Sequence, residues 1–186
     1  MTRLLLCLLA VVMLASPLRA ADIAMEDLEV FFELVAVGPT AAVQAALEET
    51  PTLATARDPD GFAAIHMLDH ADFEPKLALL QRHGADINTR TTDGIGLIHI
   101  LTDPAFLPAA LAAGADINLP DTFGRTPLMI FTQSPDGAAM VQALVNAGAD
   151  ASLRDSNGHN AVFYARESGK DDSLIQSLIT AGAMPD

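Results

Sequence analysis

Apolar residues follow three different patterns along this chain. Leu4 to Leu14 is an unbroken apolar run of eleven residues, preceded by Arg3 and followed by Ala15, Ser16, Pro17, Leu18, Arg19 and Ala20. A positive start, a short apolar stretch and a small-residue end have the order of a secretory signal. The expected cut follows Ala20, with Leu18 an imperfect match at the −3 position. The run is too short to span a bilayer as a mature helix, and no second stretch approaches that length. Next, Leu28, Phe31, Phe32 and Val35 predict an amphipathic helix, and Ala41 to Glu49 predict its partner. Glu26, Asp27, Glu29, Glu33, Glu48 and Glu49 supply their polar faces. Beyond residue 57, apolar pairs three apart recur: Leu77 and Leu80, Leu107 and Ala110, Val141 and Leu144, Ile175 and Leu178. That spacing puts each pair on one helical face, so the pattern predicts an all-α chain.

Glycine fixes the period. Residues 84–88 and 114–118 both read GADIN, 148–152 read GADAS, and 182–183 read GA. Their glycines, Gly84, Gly114, Gly148 and Gly182, are 30, 34 and 34 residues apart. A second series, Gly61, Gly94, Gly124 and Gly158, is spaced 33, 30 and 34. Each Gly-Ala lies ten residues before the next glycine of the second series, while the segments between are 23, 20, 24 and 24 long. A fixed turn joining helix pairs of variable length predicts a stacked solenoid. Thr126 before Pro127 marks a capped helix start. Gly84, Gly114, Gly148 and Gly182 mark helix ends in the left-handed conformation.

The period, the turns and the Thr126-Pro127-Leu128 start resemble the ankyrin repeat, whose unit is about 33 residues with a T-P-L-H-x-A opening. Met129 replaces the histidine there; other copies read Ala63-Ala64-Ile65-His66, Gly96-Leu97-Ile98-His99 and Asn160-Ala161-Val162-Phe163. The resemblance implies an ankyrin-repeat domain over 21–186 after a signal peptide at 1–20. It comprises a degenerate N-terminal cap at about 25–57 and copies at about 58–90, 91–120, 121–154 and 155–186. Where the family keeps a small alanine, this chain has Leu68, Leu101 and Phe131, with Ala165 only in the last copy. The 91–120 copy is three residues short and contains Pro104 and Pro108, which predicts a shortened or irregular first helix there.

Charge narrows the partners. The net formal charge is −14, and removal of Arg3 and Arg19 with the leader takes it to −16. Such a surface repels phosphate backbones and anionic membranes, so neither nucleic acid nor a membrane is an expected partner of the mature form. Cys7, the one cysteine, lies in the leader, so the mature chain has no disulfide, thiolate ligand or cysteine nucleophile.

Chemistry is sparse. No G-x-S-x-G and no glycine-rich phosphate loop occurs, so no catalytic residue and no cofactor is expected. His66 and His99 stand at the histidine position of the repeat, where the resemblance implies a structural hydrogen-bonding role. His66 and His70, four apart, are two possible metal ligands, with Asp69, Asp72 and Asp103 as candidate completions. His83 lies at a helix end, where positive charge suits the dipole. His159, after a turn glycine, is expected to be solvated.

Four residues before each second-series glycine stand Arg57, Arg90, Pro120 and Arg154, which stacked copies would align in a row. Arginine suits bidentate carboxylate contacts, although each could instead pair with a local acid such as Asp58, Asp60 or Asp155. Phe123 occupies a tip place that is Asp60, Asp93 or Asn157 in other copies. Arg57, Arg90, Phe123 and Arg154 are therefore the candidate partner-binding residues. By resemblance, the expected function is that of a non-enzymatic, monomeric protein-protein interaction module in the bacterial periplasm. Its partner would be an unidentified periplasmic protein that it inhibits, confers immunity against or protects from stress. The alternative is a metal-binding or metal-buffering protein using His66, His70 and nearby acids.

Overall fold

The computed structural model describes residues 23–68 and 72–184. The leader with Cys7, and His70 with its neighbours Asp69 and Ala71, lie outside them. The chain divides into two compact units at Thr89 and Arg90.

In the first unit, α1 spans Met25–Val37 and α2 spans Thr40–Glu49. Leu28, Phe31 and Val35 are buried along one face of α1, and Val43, Ala46 and Leu47 along one face of α2. These are the two helices expected from the apolar pattern, with Phe32 half-buried rather than in the core. A 3-10 turn at Pro51–Ala54 leads to a hairpin, a second 3-10 turn at Ala64–Met67, and then α3 at Phe73–Arg82. Lys76 of α3 is fully buried and donates from Nζ to the carbonyl of Val35 at 2.8 Å, at the carbonyl-rich end of α1. That end carries the negative pole of the helix, which favours a cation.

In the second unit, α4 covers Leu97–Ile100, a 3-10 turn Pro104–Phe106 and α5 Leu107–Ala112. Then come α6 at Pro127–Gln133, α7 at Ala138–Asn146, α8 at Ala161–Glu167 and α9 at Asp172–Thr180. Successive copies bury the expected pairs: Leu107 with Ala110, and Val141 with Leu144. In the last copy only Leu178 of its pair is buried, Ile175 being half-exposed.

The turns repeat across copies. Gly84, Gly114, Gly148 and Gly182 have φ of +92°, +95°, +90° and +106°. The alanine after each donates back to the carbonyl five residues earlier: Ala85 to Leu80, Ala115 to Ala110, Ala149 to Leu144 and Ala183 to Leu178, all at 2.9–3.1 Å. This is the Schellman closure, which needs the left-handed residue that glycine alone supplies without strain. Asp86, Asp116 and Asp150 each accept the amide two residues on at 2.9 Å, so they serve the turn.

Helix starts differ. Thr126 Oγ1 accepts the Met129 amide, Asn160 Oδ1 the amides of Val162 and Phe163, and Asp171 Oδ1 that of Leu174. Ala63 and Gly96 have no side-chain acceptor; instead His66 and His99 reach back, each Nδ1 accepting the opening amide at 3.0 Å. Both copies have a four-residue first turn. The short turn at 97–100 agrees with the prolines of that copy. The one at 64–67 was not expected from the sequence. The backbone turns extended at Leu68 and Leu101, both buried, at the place where the family keeps alanine. Phe131, at the same place, stays helical, so side-chain bulk alone does not end the turn.

Candidate protein-binding site at the hairpin tips

Each copy opens with a hairpin closed in the same way. Asp58, Thr91, Asp121 and Asp155 donate their amides to Phe62, Ile95, Arg125 and His159 carbonyls at 2.9 Å. The same residues bind the far strand through their side chains. Asp58 Oδ1 accepts from Asp60 and Phe62, Asp121 Oδ1 from Phe123 and Arg125, Asp155 Oδ1 from Asn157 and His159, and Thr91 Oγ1 from Ile95. Side chains that cap their own turn in this way hold a loop in one conformation. This column lies three residues before each second-series glycine, a periodic signal that the sequence carries and that the arginine row overshadowed.

Within the second unit the tips are stitched to one another. Thr122 donates its amide and its hydroxyl to the Asp93 carbonyl at 3.1 and 2.9 Å, and Ser156 donates its amide to the Phe123 carbonyl at 2.9 Å. A Cβ on Gly94 would lie 2.5 Å from the Thr122 amide nitrogen, so that seam closes only on glycine.

Phe123 stands at the middle of this ribbon, 58% exposed. The Arg125 guanidinium lies over its ring, 5.2 Å from the centroid. Arg125 is itself fixed to the fully buried Asp121 carboxylate, through Nε and Nη2 at 2.8 Å each. Arg125 is thus an acid-paired arginine of the tips, and the sequence reading had not singled it out.

The arginine row is present in part. Arg90 Nη1 donates to the Pro120 carbonyl at 2.9 Å, joining the row's equivalent places at the ends of the 58–90 and 91–120 copies. Arg154 Nη1 donates to the Gly158 carbonyl of its own hairpin. Arg57 is exposed in the first unit, where it bridges Ala63 across the hairpin.

The last hairpin differs from its expected form. His159 is not simply solvated: its ring stacks on Phe163 at 3.6 Å and 3°, with Tyr164 edge-on to both. The Tyr164 hydroxyl donates to Asp155 Oδ2. Burial pushes the Asp155 carboxyl up, but Tyr164 and the amides of His159 and Asn157 outweigh it and hold the group below its ordinary value. Burial and the same bond push Tyr164 up to about 12.

His66 binds the backbone through both ring nitrogens, Nδ1 to Ala63 and Nε2 to the Thr89 carbonyl at 3.0 Å, as expected for a structural histidine. A metal at His66 would have to displace one of these bonds. No group of three or more histidine, cysteine or acidic residues among the described residues could hold a metal ion. None of the described helices is long and apolar enough to cross a membrane.

Residues 99–186 match the family described as ankyrin repeats (3 copies). No curated protein matches the chain. The matched stretch starts inside the 91–120 copy, yet the 58–90 copy repeats its hairpin, its histidine cap and its glycine closure. The described residues are all-α, and over residues 99–186 the fold is that of ankyrin repeats.

Proposed function

We propose that this ankyrin-repeat chain is an exported, non-enzymatic module that captures a protein of the bacterial periplasm through its hairpin tips, with Phe123 as the anchor. The observation that carries the proposal is an exposed aromatic ring on a backbone already tied down on both sides. A rigid aromatic anchor loses little entropy when a partner closes over it, and aromatic residues dominate interface energetics. Arg125 stacked on the ring, and Arg90 and Arg154 along the same ribbon, supply donors for partner carboxylates around it. Arg57 offers the same chemistry on the first unit. The leader supports export, and the partner is a periplasmic protein that this chain inhibits, neutralises or protects.

A photo-crosslinking residue at position 123, expressed in the native cell with its leader, tests this. One specific protein adduct is expected from position 123, and none from an exposed position remote from the tips such as Glu167. Absence of any adduct at 123, or an identical set from both positions, overturns the reading. Fractionation checks export independently: a cytoplasmic protein retaining residues 1–20 would remove the periplasmic assignment.

A further inference from the structure

His66 and His99 occupy the same place in successive copies, but the bonding of their rings differs. In each, Nδ1 accepts the amide that opens the first turn, which fixes the neutral ring as the Nε2–H tautomer. His66 uses that N–H on the Thr89 carbonyl, and its Nδ1 also lies 3.2 Å from the Ala63 carbonyl. His99 is 3% exposed, and its buried Nε2 has the Leu119 and Arg125 carbonyls nearby but makes no hydrogen bond of ordinary geometry with them.

A proton added to His99 has one place to go, the lone pair of Nδ1. The protonated nitrogen then faces the Gly96 N–H donor to donor, and the cap of α4 is lost. Gly96 offers no side chain to replace it, and α4 is a single turn followed by extended backbone at Leu101. The charged groups facing His99 in this unit are few. Asp121 on the next hairpin is attractive, but its carboxylate is already committed to Arg125 and two amides. Helix α6, packed on α4, carries no charged residue.

We propose that His99 is an acid-sensitive latch: neutral, it closes the first turn of the 91–120 copy; protonated, it releases that turn and loosens the adjoining 121–125 hairpin that presents Phe123. Burial lowers the His99 pKa below 6.5, and Asp121 with the carbonyls of Arg125, Leu119 and Gly96 only partly opposes this. A depressed pKa means that the unfolded chain takes up the proton first. The stabilisation is therefore complete above 6.5 and is lost as pH falls from there through the lowered native value. The consequence for a partner rests on the tip reading above, whereas the latch itself does not.

Hydrogen exchange on the free full-length protein tests the latch, comparing wild type, His99→Gln and His66→Gln at about pH 7.5 and 5.5, either side of an ordinary histidine pKa. Glutamine at this third helical position accepts the opening amide as histidine does, but it does not titrate. After correction for intrinsic exchange, wild-type amides in 96–101 and 121–125 are expected to exchange faster at the lower pH. The increase is roughly tenfold per unit of pKa depression, up to the one-unit span of the experiment below 6.5. His99→Gln should lose this response and His66→Gln should keep it. An equal acid response in wild type and His99→Gln overturns the proposal. Should His99→Gln fail to fold, ring-proton titration of His99 in the wild type decides: a midpoint below 6.5 supports the latch, and one at or above it overturns it. Because no partner enters either measurement, a failed crosslink at 123 leaves the latch untouched, and a failed latch leaves the tip reading standing.

Discussion

Replacing Gly94 with alanine combines two penalties that a second glycine separates. Gly94 has φ +82°, and a Cβ built on it lies 2.5 Å from the Thr122 nitrogen and 2.8 and 2.9 Å from Asp121 C and Cα. All three are backbone atoms, so no side-chain rotation relieves the contact. Holding alanine in the left-handed region costs about 1–2 kcal/mol. Moving the Thr122 backbone away also breaks its two bonds to the Asp93 carbonyl, about 1 kcal/mol each. The expected loss for Gly94→Ala is therefore about 3–4 kcal/mol. Gly114 is the control: its φ is +95°, and a Cβ there meets nothing within 4 Å. Gly114→Ala should lose only the conformational part, about 1–2 kcal/mol. Urea unfolding of both variants, at unchanged m-value, measures the difference. If the two lose the same stability, within about 0.5 kcal/mol, the hairpin seam contributes nothing and the stitched-ribbon argument fails.

Other expectations use the same measurements. Phe123→Ser should change stability by less than about 0.5 kcal/mol, because the ring is exposed, while abolishing the crosslinked adduct scored from a neighbouring tip position; a large destabilisation would mean that the ring is structural. Asp155 has a depressed pKa, so its stabilisation is present above the ordinary value of 3.8 and disappears as pH falls through the native one. Stability measured from neutral pH down to acid should therefore fall less steeply below 3.8 in Asp155→Asn than in wild type, and Tyr164→Phe should weaken the same dependence by removing the hydroxyl donor. Lys76→Ala removes a fully buried side chain and its bond to Val35, with an expected cost of about 2–5 kcal/mol, whereas Lys76→Met keeps most of the volume and should cost less in calorimetry.

What the sequence made legible was whatever depends on local backbone chemistry. The Gly84, Gly114, Gly148 and Gly182 turns were readable because a left-handed helix end admits little else. Thr126 with Pro127 announced a capped helix for the same reason, and the cap is there. The column Asp58, Thr91, Asp121 and Asp155 was equally readable in principle, since it keeps a fixed offset from glycine, but the arginines beside it drew the functional reading instead. The unexpected features are tertiary. The segment Ala64–Leu68 has ordinary helix-forming composition, yet its backbone turns extended at the buried Leu68. Lys76 reads as a surface lysine of an amphipathic helix until the end of α1 is placed against it.

The two histidines mark the limit of the sequence reading. His66 and His99 have the same residue type, the same helical position and the same backbone cap, so no pattern distinguishes them. They differ in how well a carbonyl from the following turn meets Nε2: Thr89 bonds His66 at 3.0 Å, whereas the Leu119 carbonyl lies near His99 without a hydrogen bond of ordinary geometry. A buried donor with a poorly placed acceptor forfeits part of the roughly 1–3 kcal/mol that a wholly lost bond costs, and it lies in the copy that is three residues short and has a one-turn first helix. The missing residues and the unmatched ring nitrogen thus weaken the same copy. Local opening starts where such terms add, because opening free energies vary from one segment of a protein to another. The 91–120 copy is therefore the segment on which the His99 latch acts, and the Phe123 hairpin is its direct neighbour through the Asp93–Thr122 bonds.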